Sequence, residues 1–314
     1  MKVAVVGAGG VGSVFGGRLA AAGHGVWLVH RRREVVEALR RDGLRLESTD
    51  GEAHIAVRAT DDTREVGPVD LVLILTKSTD ARAAAEASKA LMGVGSMAVT
   101  LQNGLGNLEV IGAVLGQQRV LLGMTYVGAT VTGPGRARLT AAGQTFIGEP
   151  NGQLSERAQS LARILTDAGM PTQATDRLWE MVWGKLVINA AMNATCALTG
   201  ASGESVLTSP AAYEWVGLVA EETAEVARAL GVSLPYADPA ARVRQHCRDV
   251  GRSRPSMLQD FEHGRPTEID AINGAVVREG ARLGVPTPYN QALLLLVKAR
   301  QEVSAGQKIS ARPA

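Results

Sequence analysis

Aromatic side chains are scarce. They make up 4% of 314 residues, as four tryptophans, four tyrosines and three phenylalanines. That leaves little with which to stack nucleic-acid bases. An excess of one charge is also missing: 33 Lys and Arg against 31 Asp and Glu give a net charge of +2. The two signs are interspersed, so there is no electrostatic footprint for DNA or an anionic membrane. Cysteine is limited to Cys196 and Cys247, which excludes a disulfide framework or zinc-ligand spacing and leaves two reduced thiols. No apolar stretch reaches the roughly 20 residues needed to cross a bilayer. The opening "MKVAVVGAGG" is not followed by signal-peptide architecture, so a cytoplasmic location is expected. None of the five histidines sits in an obvious catalytic motif, which leaves a His–Asp dehydrogenase pair unsupported.

What is present is a 46% apolar, 20% charged chain, ordinary for a soluble globular protein and long enough for two domains. The first half alternates strand and helix signals. Lys2 to Val6 is a β-branched run ending in glycines, Gly10 to Ala22 is small and helical, and "HGVWLVH" is a second strand. "VDLVLILTK", Val69 to Lys77, is a continuous apolar strand of the kind buried on both faces. "LRLES" and "HIAVRAT" form a hairpin or add strands, and later strands follow in "VLLGMTYVGATV", "RARLTAAG" and "QTFIGE". Repeated βαβ units argue for a parallel doubly wound sheet. After about Asp176 strand signals nearly vanish. Helices are expected over 177–198, 210–230, 238–250, 268–283 and 288–303, with a frayed tail in "GQKISARPA". The fold class expected is an α/β Rossmann-like dinucleotide-binding domain, residues 1–176, followed by an all-α C-terminal domain, residues 177–314.

"GAGGVG" places Gly7, Gly9 and Gly12 in the G-x-G-x-x-G spacing, after a strand and at the start of a helix. Gly7 allows the tight turn, Gly9 lets a pyrophosphate approach, and Gly12 lets helix and strand pack closely. The expected cofactor loop is therefore Gly7, Ala8, Gly9, Gly10, Val11 and Gly12, with the helix N-terminus facing the phosphates. At the end of the second strand, where NAD-preferring folds place Asp or Glu, this chain reads "VHRRRE". A guanidinium pairs with a 2′-phosphate, so the expectation is NADPH, with Arg31 the best candidate partner. Lys77 in "LTKS" and Asn103 in "LQNG" sit at two further strand ends, where ligands of such sheets lie. Lys77 is suited to a cofactor phosphate or a substrate anion. Asn103 is suited to a hydrogen bond with cofactor or substrate, or to capping the next helix.

"GKLVINAAMN", from Gly184 to Asn193, is apolar on most sides yet carries Lys185, Asn189 and Asn193. At about 100° per residue the three share one face of a helix that otherwise reads as core. Reducing a ketone leaves negative charge on its oxygen, and a buried amine with a lowered pKa can meet that charge and supply the proton. The other reading is a lysine whose stem packs while its amine reaches solvent.

Taken together, "GAGGVG", "TKS", "QNG", "KLVINAAMN" and "RPSMLQDFEHGRPTEIDAINGAVV" resemble the ketopantoate reductase (2-dehydropantoate 2-reductase) family over nearly the whole chain. The resemblance implies that Lys185 is the catalytic general acid and that Asn189, Asn193 and Ser256 contact the substrate. It implies that Glu268 bonds substrate or cofactor near the reacting centre, Asn103 lies near both, and Arg31 and Lys77 bind cofactor phosphate. The implied reaction is NADPH-dependent reduction of 2-dehydropantoate to pantoate, toward pantothenate, by a monomer or homodimer. Three departures stand out: Ser253 and Ser202 where the family has asparagines, and Asp80 where it has an amide. The two serines lie where substrate contacts are expected and leave room for a paralogous reductase of another 2-oxo acid, while Asp80 puts a negative charge near the cofactor side. A non-catalytic NADPH sensor is a third reading, disfavoured by Lys185 together with Glu268.

Overall fold

The computed structural model describes residues 1–49 and 51–310. The chain divides into two compact units, one of residues 1–102 with 106–178, the other of residues 103–105 with Trp179 onward.

The first unit is built around the apolar run that the sequence marks as a doubly buried strand. Its main sheet joins β1 (Lys2–Val6), β2 (Gly25–Val29), β5 (Arg58–Thr60), β6 (Val69–Ile74), β7 (Met92–Thr100), β8 (Val120–Thr125), β11 (Thr145–Gly148) and β12 (Thr172–Ala174). Their order is β12-β11-β8-β7-β6-β1-β2-β5. Successive residues serve opposite faces, as strand geometry dictates. Val3, Val5, Leu71 and Leu73 pack on one side with Phe15 and Leu19 of α1 (Gly10–Ala21). Ala4, Val6, Val72 and Ile74 pack on the other with Ala84 and Ala85 of α3 (Ala81–Ser88) and Ile111 of α4 (Asn107–Leu115). The expected parallel doubly wound sheet is corrected at one place: β11 runs antiparallel to β8. The reason is the connection. It is too full of strand to hold a crossover helix, so β11 returns alongside β8 in the opposite sense.

That connection feeds a second sheet that the sequence does not announce. The hairpin of β3 (Leu44–Ser48) and β4 (Gly51–Ile55) joins β10 (Arg136–Ala141) and β9 (Gly128–Gly133) in the order β4-β3-β10-β9. Helix α1 lies between the sheets, which explains its small residues. A Cβ on Gly16 would meet Leu28 at 2.4 Å, and one on Gly17 would meet Leu44 at 2.7 Å. α2 (Arg33–Asp42) and α5 (Glu156–Asp167) complete the unit. α5 begins at Ser155, whose side chain accepts from the Ala158 amide.

The second unit is helical: α6 (Leu178–Thr199), α7 (Gly203–Thr208), α8 (Pro210–Ala229), α9 (Pro239–Val250), α10 (Ser256–Glu262), α11 (Asn273–Leu283) and α12 (Pro288–Ser310). α6 runs through its core: Val187, Ala190, Ala191, Ala194, Cys196 and Ala197 are fully buried among α8, α9, α11 and α12 side chains. This is why α6 is apolar nearly all round. Two helix limits differ from expectation. Residues 268–272 form turns, and α11 starts only at Asn273, because Ile272 leaves helical geometry (φ −99°, ψ −91°) and the Gly274 amide reaches back five residues to the Ile269 carbonyl. α12 continues past Val303 to Ser310, while residues 311–314 of the expected tail lie outside the described residues. Among the described residues no helix is long and apolar enough to cross a membrane. Both cysteines are buried, and burial pushes the Cys196 thiol up to about 12 and the Cys247 thiol up to about 11, so neither is a ready nucleophile.

Candidate active site

The glycine turn of the first unit is sterically tight at Gly7 and Gly12. Gly7 has φ +102°, and a Cβ there would lie 2.5 Å from the Thr76 amide nitrogen. A Cβ on Gly12 would lie 2.1 Å from the Gly7 carbonyl oxygen, so only glycine brings α1 this close to the turn. Around Gly9 nothing lies within 4 Å of that position, which leaves its backbone open to a ligand. Gly10 has another duty: a Cβ there would meet the Ala129 carbonyl of β9 at 2.6 Å. The Gly7 and Ala8 amides donate to the Val29 carbonyl at 3.1 and 3.2 Å, tying the turn to the end of β2. A cradle bounded by bare backbone at a helix N-terminus fits a dinucleotide pyrophosphate.

The neighbouring strand ends are also cross-tied. The buried Gln102 amide donates to the Thr76 and Lys77 carbonyls at 2.9 and 3.1 Å and to the Thr76 hydroxyl. This holds the "TKS" turn against "QNG". Gln102 was not singled out from the sequence, and its contacts to residues 25 and 26 positions away leave no local trace. Arg31 donates to both carboxylate oxygens of Asp80 at 3.2 Å.

In the second unit, residues far apart in sequence meet around Lys185. Its Nζ donates to Asn103 Oδ1 at 2.8 Å, and Asn103 Nδ2 donates to Glu268 Oε2 at 3.3 Å. Asn103 thus bridges amine and carboxylate, and the two bonds fix which way its amide faces. The bridge is held by backbone. Leu105 donates its amide to the Ala271 carbonyl at 2.8 Å, and Gly104, at φ +80°, passes so near that a Cβ would sit 2.2 Å from that same oxygen. Desolvation lowers the Lys185 ammonium from 10.5 to about 8, against the raising effect of the Glu268 carboxylate. An amine in this state is mostly protonated at neutral pH yet gives up its proton readily, as a general acid requires.

Asn189 is half-buried and Asn193 buried, one and two turns along α6 from Lys185. Ser256 is exposed on the first turn of α10 and does not join the Lys185–Asn103–Glu268 set. Ser202 caps α7, accepting from the Ser205 amide at 3.3 Å, a duty that serine and asparagine perform about equally. Ser253 is exposed.

Two residues that the sequence reading passed over belong with this site. His246 of α9 is close enough to feel the Lys185 charge, and burial, then Arg242, lowers its imidazole to about 4 and keeps it neutral. Asn273 is fully buried and donates to the Ala190 carbonyl of α6 at 3.0 Å and to Asn290 Oδ1 at 2.9 Å. Asn290 donates in turn to Glu222, whose carboxylate also accepts the Tyr289 and Asn290 amides at the start of α12. This chain of bonds fixes α6, between Asn189 and Asn193, against the segment that carries Glu268.

Residues 3–152 match the model of the family described as ketopantoate reductase PanE/ApbA, and residues 177–301 match the model of its C-terminal domain. The chain belongs to the ketopantoate reductase family. It is 33% identical over 298 residues to the 2-dehydropantoate 2-reductase of Archaeoglobus fulgidus, covering 95% of this chain and 97% of that relative. The crystal structure of a PanE/ApbA family ketopantoate reductase from Ralstonia eutropha JMP134 superposes with a TM-score of 0.89 at 36% identity, covering 96% of this chain and 99% of the other. A D-mandelate dehydrogenase solved with NADH and anilino(oxo)acetate superposes with a TM-score of 0.90 at 27% identity, covering 96% of this chain and 99% of the other. The reductase is thus an oxidoreductase of an NADPH-dependent family, on a scaffold shared with a D-mandelate dehydrogenase.

Proposed function

We propose that this reductase converts a small 2-oxo acid to the 2-hydroxy acid with NADPH, and that the acid is 2-dehydropantoate, giving pantoate on the way to pantothenate. The observation that carries the chemistry is the half-buried Lys185 amine held by Asn103, which is itself held by Glu268. A nicotinamide cofactor held at the Gly7–Gly12 turn would supply the hydride that the carbonyl carbon receives. As charge grows on the carbonyl oxygen, the Lys185 ammonium stabilises it and delivers the proton. Asn103 keeps the amine aimed, and Glu268 keeps Asn103 turned. Asn189 and Asn193 offer neutral donors and acceptors for substrate oxygens without altering the local charge, and Ser256 is assigned to the substrate carboxylate. Gly7, Ala8, Gly9, Gly10, Val11 and Gly12 form the pyrophosphate turn, with Arg31 and Lys77 for cofactor phosphate. Residues 1–176 are assigned to the cofactor and 177–314 to the substrate, although Asn103 packs with the second group.

The identity of the acid rests on the named relatives, at about one-third identity. A second reading, another 2-oxo acid, draws on the D-mandelate dehydrogenase likeness and on Ser253, which offers less reach than an amide. NADPH oxidation with 2-dehydropantoate beside a panel of branched and aromatic 2-oxo acids separates the two. A kcat/KM for 2-dehydropantoate at least tenfold above every other acid supports the first reading. An aromatic or bulkier acid in first place overturns it.

A further inference from the structure

The four residues that follow β2, His30 to Arg33, include no carboxylate, but the fold brings one there from Asp80. Arg31 lies two residues beyond Val29, whose carbonyl accepts from the glycine turn. Asp80 lies four residues beyond Thr76, whose amide crowds Gly7 from the other side. The two side chains meet, with Arg31 Nη1 3.2 Å from each Asp80 oxygen. The pair is open to solvent, with side chains 78% and 38% exposed, so water and ligands reach both groups. One corner beside the cofactor turn therefore holds a guanidinium, which suits a 2′-phosphate, and a carboxylate, which suits a ribose 2′-hydroxyl.

Resting on the proposed cofactor site, we infer that Asp80 is a specificity-determining residue and that this reductase accepts NADH alongside NADPH. A 2′-phosphate has to take Arg31 from Asp80 and sit beside a like charge. A 2′-hydroxyl instead donates to the Asp80 carboxylate, while Arg31 stays paired with it. Asp80 thus works against NADPH and for NADH. The effect is moderate because exposed pairs in water are weakly held.

The test compares both nucleotides in the wild type, Asp80→Asn and Arg31→Gln. Dissociation constants come from calorimetry without substrate, and kcat/KM from turnover with the same 2-oxo acid. Asn suits the exposed start of α3 as well as Asp does, so the first variant is expected to fold. The wild type is expected to favour NADPH by no more than about tenfold. Asp80→Asn raises that preference about fivefold, with NADPH binding tighter and NADH weaker. Arg31→Gln reverses the preference. An unchanged or reduced preference in Asp80→Asn overturns the inference and makes Asp80 a support that aims Arg31 at the phosphate. If the binding shifts occur but no 2-oxo acid is reduced, the inference stands and the proposed reaction falls. If neither nucleotide binds the wild type, both fall.

Discussion

On the proposed role of Lys185 as general acid, its protonation sets the pH behaviour of the reaction. With its ammonium lowered to about 8 by desolvation, the acid needed for reduction is present below that pH and lost above it. The rate of 2-oxo acid reduction is therefore expected to be level toward neutral pH and to fall tenfold per unit well above pH 8. The reverse oxidation, which needs the free amine, is expected to rise through the same range. Asn103 gives a way to move that limb. Asn103→Asp places a carboxylate 2.8 Å from Nζ and 3.3 Å from Glu268 Oε2; the added negative charge stabilises the ammonium, which then serves both carboxylates. The alkaline limb is expected to shift upward by about one unit or more, with a lower kcat because the more basic amine is a weaker acid. A limb that stays put in the pH profile of Asn103→Asp contradicts the assignment of that limb to Lys185.

Among the elements, α6 was readable because its oddity is local: a lysine and two amides at four-residue spacing in an otherwise apolar helix. The glycine turn was readable because backbone sterics select glycine at Gly7 and Gly12 wherever this turn occurs. What decides the geometry was not readable. Asn103 and Lys185 are 82 residues apart, and Asn103 and Glu268 are 165 apart, so no periodicity links them. The second sheet was hidden for the same reason, since β3 finds β10 across some 90 residues. The segment before α11 is helical in composition, but the chain leaves helical geometry at Ile272 and closes a separate turn there. That turn is the support for Asn103, and Gly104 is its point of contact. Gly104→Ala adds a Cβ 2.2 Å from the Ala271 oxygen at a left-handed φ. It is expected to cost about 1–3 kcal/mol in denaturant unfolding and to lower kcat at least tenfold by displacing Asn103. Wild-type kcat in this variant contradicts the role given to the turn.

At the scale of the whole molecule, drawing the Lys185 ammonium out of water costs stability. The folded pKa lies below the unfolded 10.5, so between about pH 8 and 10.5 the unfolded chain binds more protons. The cost is fully present below pH 8 and is relieved as pH rises through that window. Lys185→Met keeps the stem and removes the charge, so at pH 7 it is expected to unfold about 1–3 kcal/mol harder than the wild type. A less stable Lys185→Met would mean that the amine contributes more through its bonds than burial takes away. The two-unit layout and the near-complete match to family relatives were legible in outline from motif order alone. The Asp80 that reaches Arg31 from another strand was visible only as a departure from the family's pattern, since only the folded sheet brings the two together. The most direct test of the account is single-turnover reduction of 2-dehydropantoate by preformed NADPH complexes of wild type and Lys185→Ala. Hydride transfer is expected to be slowed by about 10²–10⁴-fold in the variant with NADPH still bound. Transfer at the wild-type rate would contradict the role of Lys185.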